Sequence, residues 1–160
     1  MSSDHAARTG AATFTWYRRA AWRGNPYAQF NLAQLYLRGH GIGRDDVQAA
    51  AWLARAAASG LAYAQNHLGT LYYSGRGVHP DHVLAARWFL RAAQQGDRSA
   101  QYNLGLLYRK GRGVTLSHPT ALSWFYRAAE QGMARAQALY WFRHAAGAGN
   151  PVAQRALGLL

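Results

Sequence analysis

A period of 36 residues governs this chain and constrains its fold more than any other feature. With Ala28, Ala64 and Ala100 set in register, Leu32/Leu68/Leu104, Tyr36/Tyr72/Tyr108, Gly39/Gly75/Gly111, Gly41/Gly77/Gly113, Trp52/Trp88/Trp124 and Gly60/Gly96/Gly132 all coincide. A fixed period of this length is the mark of a repeat architecture, in which each unit buries its apolar face only against its neighbours. Function is then expected on a surface and not in a pocket of catalytic groups.

Within a unit the apolar residues have helical spacing. Ala28, Leu32, Leu35 and Tyr36 fall at i, i+4, i+7 and i+8, and Ala49, Trp52, Leu53 and Ala56 at i, i+3, i+4 and i+7, so each unit reads as two amphipathic helices. Asp45, Asp81 and Ser117 stand just before the second helix, where a short polar side chain caps free amides. The paired glycines GHG, GRG and GRG follow the first helix, where a left-handed residue ends it. Gly24, Gly60, Gly96, Gly132 and Gly149 stop the second helices. About nine helices are predicted, near 13–23, 26–37, 46–58, 62–73, 82–94, 98–109, 118–130, 134–146 and 150–160.

The predicted organisation is a mobile N-terminal tail over 1–12 and a single domain over 13–160. The domain comprises a half repeat (13–24), full repeats (25–60, 61–96, 97–132), a shortened repeat (133–149) and a terminal helix (150–160). The shortening shows in Ala138, Trp141, Phe142, Ala145, Ala146 and Gly149, which echo Ala121, Trp124, Phe125, Ala128, Ala129 and Gly132 after 17 residues instead of 36.

The pattern AxxxLGxxYxxGxGVxxD followed by AxxWxxRAAxxG resembles the Sel1-like repeat, a relative of the tetratricopeptide repeat with a longer interhelical loop. AQNHLGTLYYSGRGV and AQYNLGLLYRKGRGV carry the likeness most closely, and it extends over roughly 13–160. Departures are Ala33 where Gly is usual, Ile42 for Val, Ser117 for Asp and the short fourth unit. The resemblance implies an all-α, short right-handed α-solenoid of helix-turn-helix repeats. It also implies an adaptor or scaffold role without catalysis, of a kind frequent in bacteria, and names no partner.

Composition narrows the classes. The chain has no cysteine, which removes disulfides, thiolate metal sites and a cysteine nucleophile. The N-terminus lacks the apolar stretch of a secretory signal and no run approaches the roughly 20 apolar residues that span a bilayer, so the expectation is a cytoplasmic protein without a membrane span. Histidines are scattered; the tightest cluster, His79, Pro80, Asp81 and His82, includes a residue already read as a helix cap. No serine, histidine and acid constellation can be placed, and no cofactor or metal is expected.

The net charge is +12, with 17 arginines and one lysine against six acids. Such an excess favours anionic partners. A ladder of Arg19, Arg55, Arg91 and Arg127 recurs in the later half of the second helices, where a cation complements the helix dipole and its stem covers apolar surface. Arg76 and Arg112 in the loops read equally as solvated charge or as ligand contacts.

Removing framework positions leaves the variable residues of the first helices as recognition candidates: Tyr27, Phe30, Gln34 and Arg38 in one unit, Tyr63, Asn66 and Tyr73 in the next, and Tyr102, Leu106, Arg109 and Lys110 in the third. Positions 27, 30, 34, 37 and 38 share one helix face. Rings, amides and cations together suit an extended, acidic or carboxylate-bearing peptide on the concave side of a helix-pair solenoid. The competing role for the rings, Tyr27 and Tyr63 especially, is to fill gaps between repeats. A second reading is single-stranded nucleic acid, with arginines along phosphates and rings on bases; five of the six tryptophans (Trp16, Trp52, Trp88, Trp124, Trp141) share one framework position and are expected in the core, with Trp22 outside it. The last helix, with Leu157, Leu159 and Leu160, is expected either to fold back in a compact hairpin or to offer a surface for self-association.

Overall fold

The computed structural model describes the backbone of residues 2–132 and 144–156, and the side chains of 10–132 and 144–155. Eight helices occur among the described residues: α1 (Ser2–Trp22), α2 (Pro26–Arg38), α3 (Asp46–Ala58), α4 (Ala62–Ser74), α5 (His82–Gln94), α6 (Arg98–Lys110), α7 (His118–Glu130) and α8 (Pro151–Ala156). From α2 to α7 the boundaries fall within a residue of those the sequence predicts. The predicted helix over 134–146 lies mostly outside the described residues, with 144–147 helical. Leu157, Leu159 and Leu160, on which the terminal hairpin and the self-association reading depend, also lie outside them.

Local chemistry explains this precision. Asn25, Asp97 and Asn150 cap first-type helices through hydrogen bonds from Ala28 N (3.0 Å), Ala100 N (2.7 Å) and Ala153 N (3.1 Å). Asp45 and Ser117 cap α3 and α7. Gly39, Gly75 and Gly111 end α2, α4 and α6 in left-handed backbone at φ near +70°, +71° and +63°. Each following loop is closed by one recurring bond, from the amide of Asp45, Asp81 or Ser117 to the carbonyl of Tyr36, Tyr72 or Tyr108, at 3.0, 2.9 and 2.9 Å.

One boundary differs from expectation. α1 starts at Ser2 and not near residue 13, so the stretch expected as a mobile tail carries helical backbone. Its register explains why: Gly10 lies 36 residues before Asp46 and so occupies the start position of a second-type helix. Upstream of it Ala6, Ala7 and Arg8 are good helix formers, and extending an existing helix costs far less than starting one.

The chain divides into two compact units, Met1–Asp81 and His82–Leu160. In the first, α1 packs on α2, α2 on α3 and α3 on α4. Its core holds Leu32, Ala33, Ala49, Trp52, Leu53, Ala64 and Leu68, all buried. In the second, α5 packs on α6 and α6 on α7, around Phe89, Leu104, Leu107, Leu122 and Phe125. Alanine dominates both cores, which lets the helices approach closely.

The second glycine of each loop is a packing element. A Cβ on Gly77 (φ +69°) would overlap the Asp46 carbonyl at the start of α3, one on Gly113 (φ +68°) the His82 carbonyl at the start of α5, and one on Gly41 the Gly10 carbonyl in α1. The loop of each repeat therefore rests on the first turn of the previous second-type helix, an approach only glycine allows.

Candidate functional site

Four glutamines that look like surface residues in the sequence form an internal ladder. Gln29, Gln65, Gln101 and Gln154 donate from Nε2 to the carbonyls of Ala21 (3.2 Å), Ala57 (3.1 Å), Ala93 (3.2 Å) and Ala146 (3.2 Å). These carbonyls belong to the last turn of the preceding helix, where no intrahelical donor is available. The signal was present as a recurring Ala-Gln pair, at 28–29, 64–65, 100–101 and 153–154. Sequence reasoning missed it because glutamine is usually exposed.

Three arginines of the ladder, Arg55, Arg91 and Arg127, rest on tryptophan rings, a partner the dipole and stem arguments did not name. Arg55 lies 4.5 Å from the Trp52 ring and 5.1 Å from Trp22, Arg91 lies 4.8 Å from Trp88, and Arg127 lies 4.8 Å from Trp124. The i, i+3 spacing stacks guanidinium on indole along each second-type helix. The tryptophans themselves depart from the expected common core. Trp52 is buried beneath Trp22, which meets it edge-on at 5.2 Å; Trp88 and Trp124 are half-buried; Trp16 is 65% exposed. Trp22 covers Trp52, whereas Trp16 meets the edge-on ring of Tyr17, at 4.9 Å, and stays largely in water. Trp141 lies outside the described residues.

Arg76 is a clasp and not free loop charge. It donates from Nε and Nη2 to the Asp46 carboxylate, at 3.3 and 3.0 Å, and Arg44 donates to the same group from the other side at 3.2 and 2.9 Å. Hydrogen bonds from Arg44 first, and then from Arg76, hold the Asp46 carboxyl well below the usual carboxylate range. The pair ties the α4–α5 loop to the start of α3, beside Gly77.

The recognition candidates separate into exposed and packed groups. Tyr27 and Tyr63 are 65% and 62% exposed, so they do not fill gaps between repeats. Arg38 and Lys110 are exposed at the ends of α2 and α6. Phe30 is half-buried against the His67 ring, with centroids 5.3 Å apart. Gln34 has its Nε2 buried without a hydrogen-bond partner. Asn66 and Tyr73 are half-buried on α4. In the second unit Tyr102 packs its ring on Phe125 at 5.4 Å, and with Leu106 it lines the core cluster of Ala121, Leu122 and Phe125. These two serve packing more than display.

Arg109 stands beside a pocket of about 230 Å³ bounded by α7 and by His144, Ala145 and Ala148. Among the described residues no group of three His, Asp or Glu side chains is placed to hold a metal, and no helix is long and apolar enough to cross a membrane.

Helix pairs repeated at 36 residues, joined by glycine loops and glutamine ties, define an all-α helix-pair repeat protein. The family model for the Sel1 repeat matches residues 26–61, 62–97, 98–133 and 135–150, and the chain belongs to that family. Among solved structures it is similar to a Sel1 repeat protein from Oxalobacter formigenes, at 41% identity and TM-score 0.69 over 77% of this chain and 92% of that one. It is also similar to a protective antigen of uropathogenic Escherichia coli with this repeat fold, at 35% identity and TM-score 0.74; the match covers 91% of this chain but 35% of that one, about a third of its length. Cysteine-rich protein B of Helicobacter pylori shares the fold at 20% identity, TM-score 0.64, over 81% of this chain and 93% of that one. No curated protein matches the chain. Sel1 repeat proteins are generally scaffolds for protein–protein interaction, and the fold is typically non-enzymatic.

Proposed function

We propose that this chain is a non-enzymatic adaptor that binds an acidic protein segment on the exposed faces of its first-type helices. The observation that carries the reading is the pair Tyr27 and Tyr63. Both hold the same repeat position, near the start of α2 and α4, and both leave most of their surface in water. Large rings cost solvation when exposed, and rigid aromatic anchors beside cations are what protein interfaces use. Arg38 and Lys110 add exposed positive charge on the same type of helix, within a chain of net charge +12. That charge would speed encounter with an acidic partner and select against basic ones.

A nucleic-acid reading has one observation in its favour. Trp16 stands exposed beside Arg19 and Arg23 in a shallow hollow at the end of α1. Against it, the indoles of Trp52, Trp88 and Trp124 already carry arginines, which occupies the faces that bases would stack on.

Affinity capture from the native host, with and without nuclease, separates the two. The adaptor reading predicts a discrete protein retained through nuclease and moderate salt. Recovery of nucleic acid alone, with every protein lost on nuclease treatment, would overturn it.

A further inference from the structure

The second unit contains a feature that the repeat framework does not require. α7 presents buried Leu122 and Phe125 as the floor of the 230 Å³ pocket, while Arg109, His118 and His144 border it. His118 and His144 are exposed and Arg109 half-buried, so the basic groups stand at the mouth and the apolar groups at the base. No Asp or Glu is among the described residues that line it. His118 also opens α7, so the positive end of that helix dipole lies at the same edge.

The volume limits the occupant. A cavity of about 150 Å³ accepts a benzene ring, and drug-sized ligands need roughly 300 Å³ or more. A pocket between these accommodates one phenyl or branched aliphatic side chain. The mouth adds a second requirement, because a guanidinium and two imidazoles best meet an anion, and guanidinium pairs with carboxylate in a fork geometry.

From this geometry we infer that the pocket is an anchor site for one apolar side chain flanked by a carboxylate, presented by a segment of a partner protein. The inference goes beyond the adaptor reading and rests on it: besides the exposed faces of the first-type helices, it adds a place on α7 of the second unit for one side chain of a partner segment. The carboxylate has two sources, the free C-terminus of a chain ending in Phe or Leu, or an Asp next to such a residue inside a segment.

Labelled peptides test both against the full chain by fluorescence anisotropy. Two probes carry the motif: Gly-Ser-Gly-Ser-Phe with a free carboxylate, and Gly-Ser-Asp-Phe as the amide. Two lack half of it: Gly-Ser-Ser-Phe amide has no carboxylate, and Gly-Ser-Asp-Gly amide has no ring. At least one motif peptide is expected to bind tenfold or more tightly than both half-motif peptides, and which one does identifies the source. Ala148→Trp, at an exposed lining position, should close the pocket and weaken that binding at least tenfold, as should Arg109→Gln. Arg155→Gln removes the same charge from an exposed residue of α8 that does not line the pocket and should change it less than twofold. Equal binding of all four peptides, unchanged binding by Ala148→Trp, or no saturable binding of either motif peptide up to millimolar protein overturns the anchor site. None of these outcomes touches the adaptor reading, which stands or falls on the capture of a nuclease-resistant protein partner.

Discussion

The two units use the same 36-residue pattern and spend its variable positions differently. In Met1–Asp81 the start of the second-type helix is Asp46, which two arginines grip, and the loop beside it is thereby tied down. In His82–Leu160 the same register holds His82, so that unit has no carboxylate at this position. In the first unit the pair Ala33 and Leu53 fills the centre; in the second, Gly105 and Phe125 stand at the same two positions, and the larger ring takes the space the missing methyl leaves. Phe125 then also floors a pocket. The shared positions set the fold, and the unshared ones set how each loop is tied down and how each core is filled.

The largest test breaks what both units share. Gly77→Ala in one unit and Gly113→Ala in the other each combine positive φ with a collision against a helix-start carbonyl. Each should cost about 3 kcal/mol by denaturant unfolding. Loss of well under 1 kcal/mol at both would show that the loops do not rest on the helices as described.

The central exchange is next. A Cβ on Gly105 would come within 2.7 Å of the Phe125 ring, so Gly105→Ala should destabilise by roughly 2 kcal/mol. Combining it with Phe125→Leu copies the first unit, and the double variant should lose less than the sum of the single losses. Strict additivity would deny that the two positions compensate each other.

A smaller effect should appear as a gain. Gln101 Oε1 accepts from Gln131 Nε2 at 2.9 Å, whereas the equivalent Gln29 Oε1 is buried without a partner. The position matching Gln131 is Ser59, which bonds the Arg55 carbonyl instead. Ser59→Gln should therefore stabilise the chain by about 1 kcal/mol, and Gln29→Leu should abolish the gain.

The smallest effect is the Asp46 clasp. Because folding lowers the carboxyl pKa, its contribution is complete above the unfolded value of about 4, declines as pH falls below that, and vanishes below the folded value. The Tm gap between wild type and Asp46→Asn should accordingly be constant from about pH 7 to pH 5 and narrow by about pH 3. A gap that widened on acidification would contradict the sign.

Much of this was legible in the sequence because caps and glycines are local signals. Gly39, Asp45 and Ser117 mark helix ends through chemistry within four residues of themselves. What escaped depends on neighbours distant in the chain. Arg76 meets Asp46 thirty residues away, and glutamines that look solvated turn inward to carbonyls eight residues back. Trp16 carries the framework signature, yet its exposure depends on what covers it. Of the recognition candidates, helical phase could not distinguish Tyr27 and Tyr63, whose rings are exposed, from Tyr102, whose ring is drawn in by Phe125.

The central claim is that first-type helices recognise the partner while second-type arginines hold the scaffold. Retention of the captured partner by two variants of equal charge loss tests it most directly. Arg38→Gln with Lys110→Gln should lose most of the partner at unchanged Tm, whereas Arg91→Gln with Arg127→Gln should keep the partner and melt lower. The reverse pattern, with partner lost only from the second pair, would place recognition on the opposite helices and contradict the account.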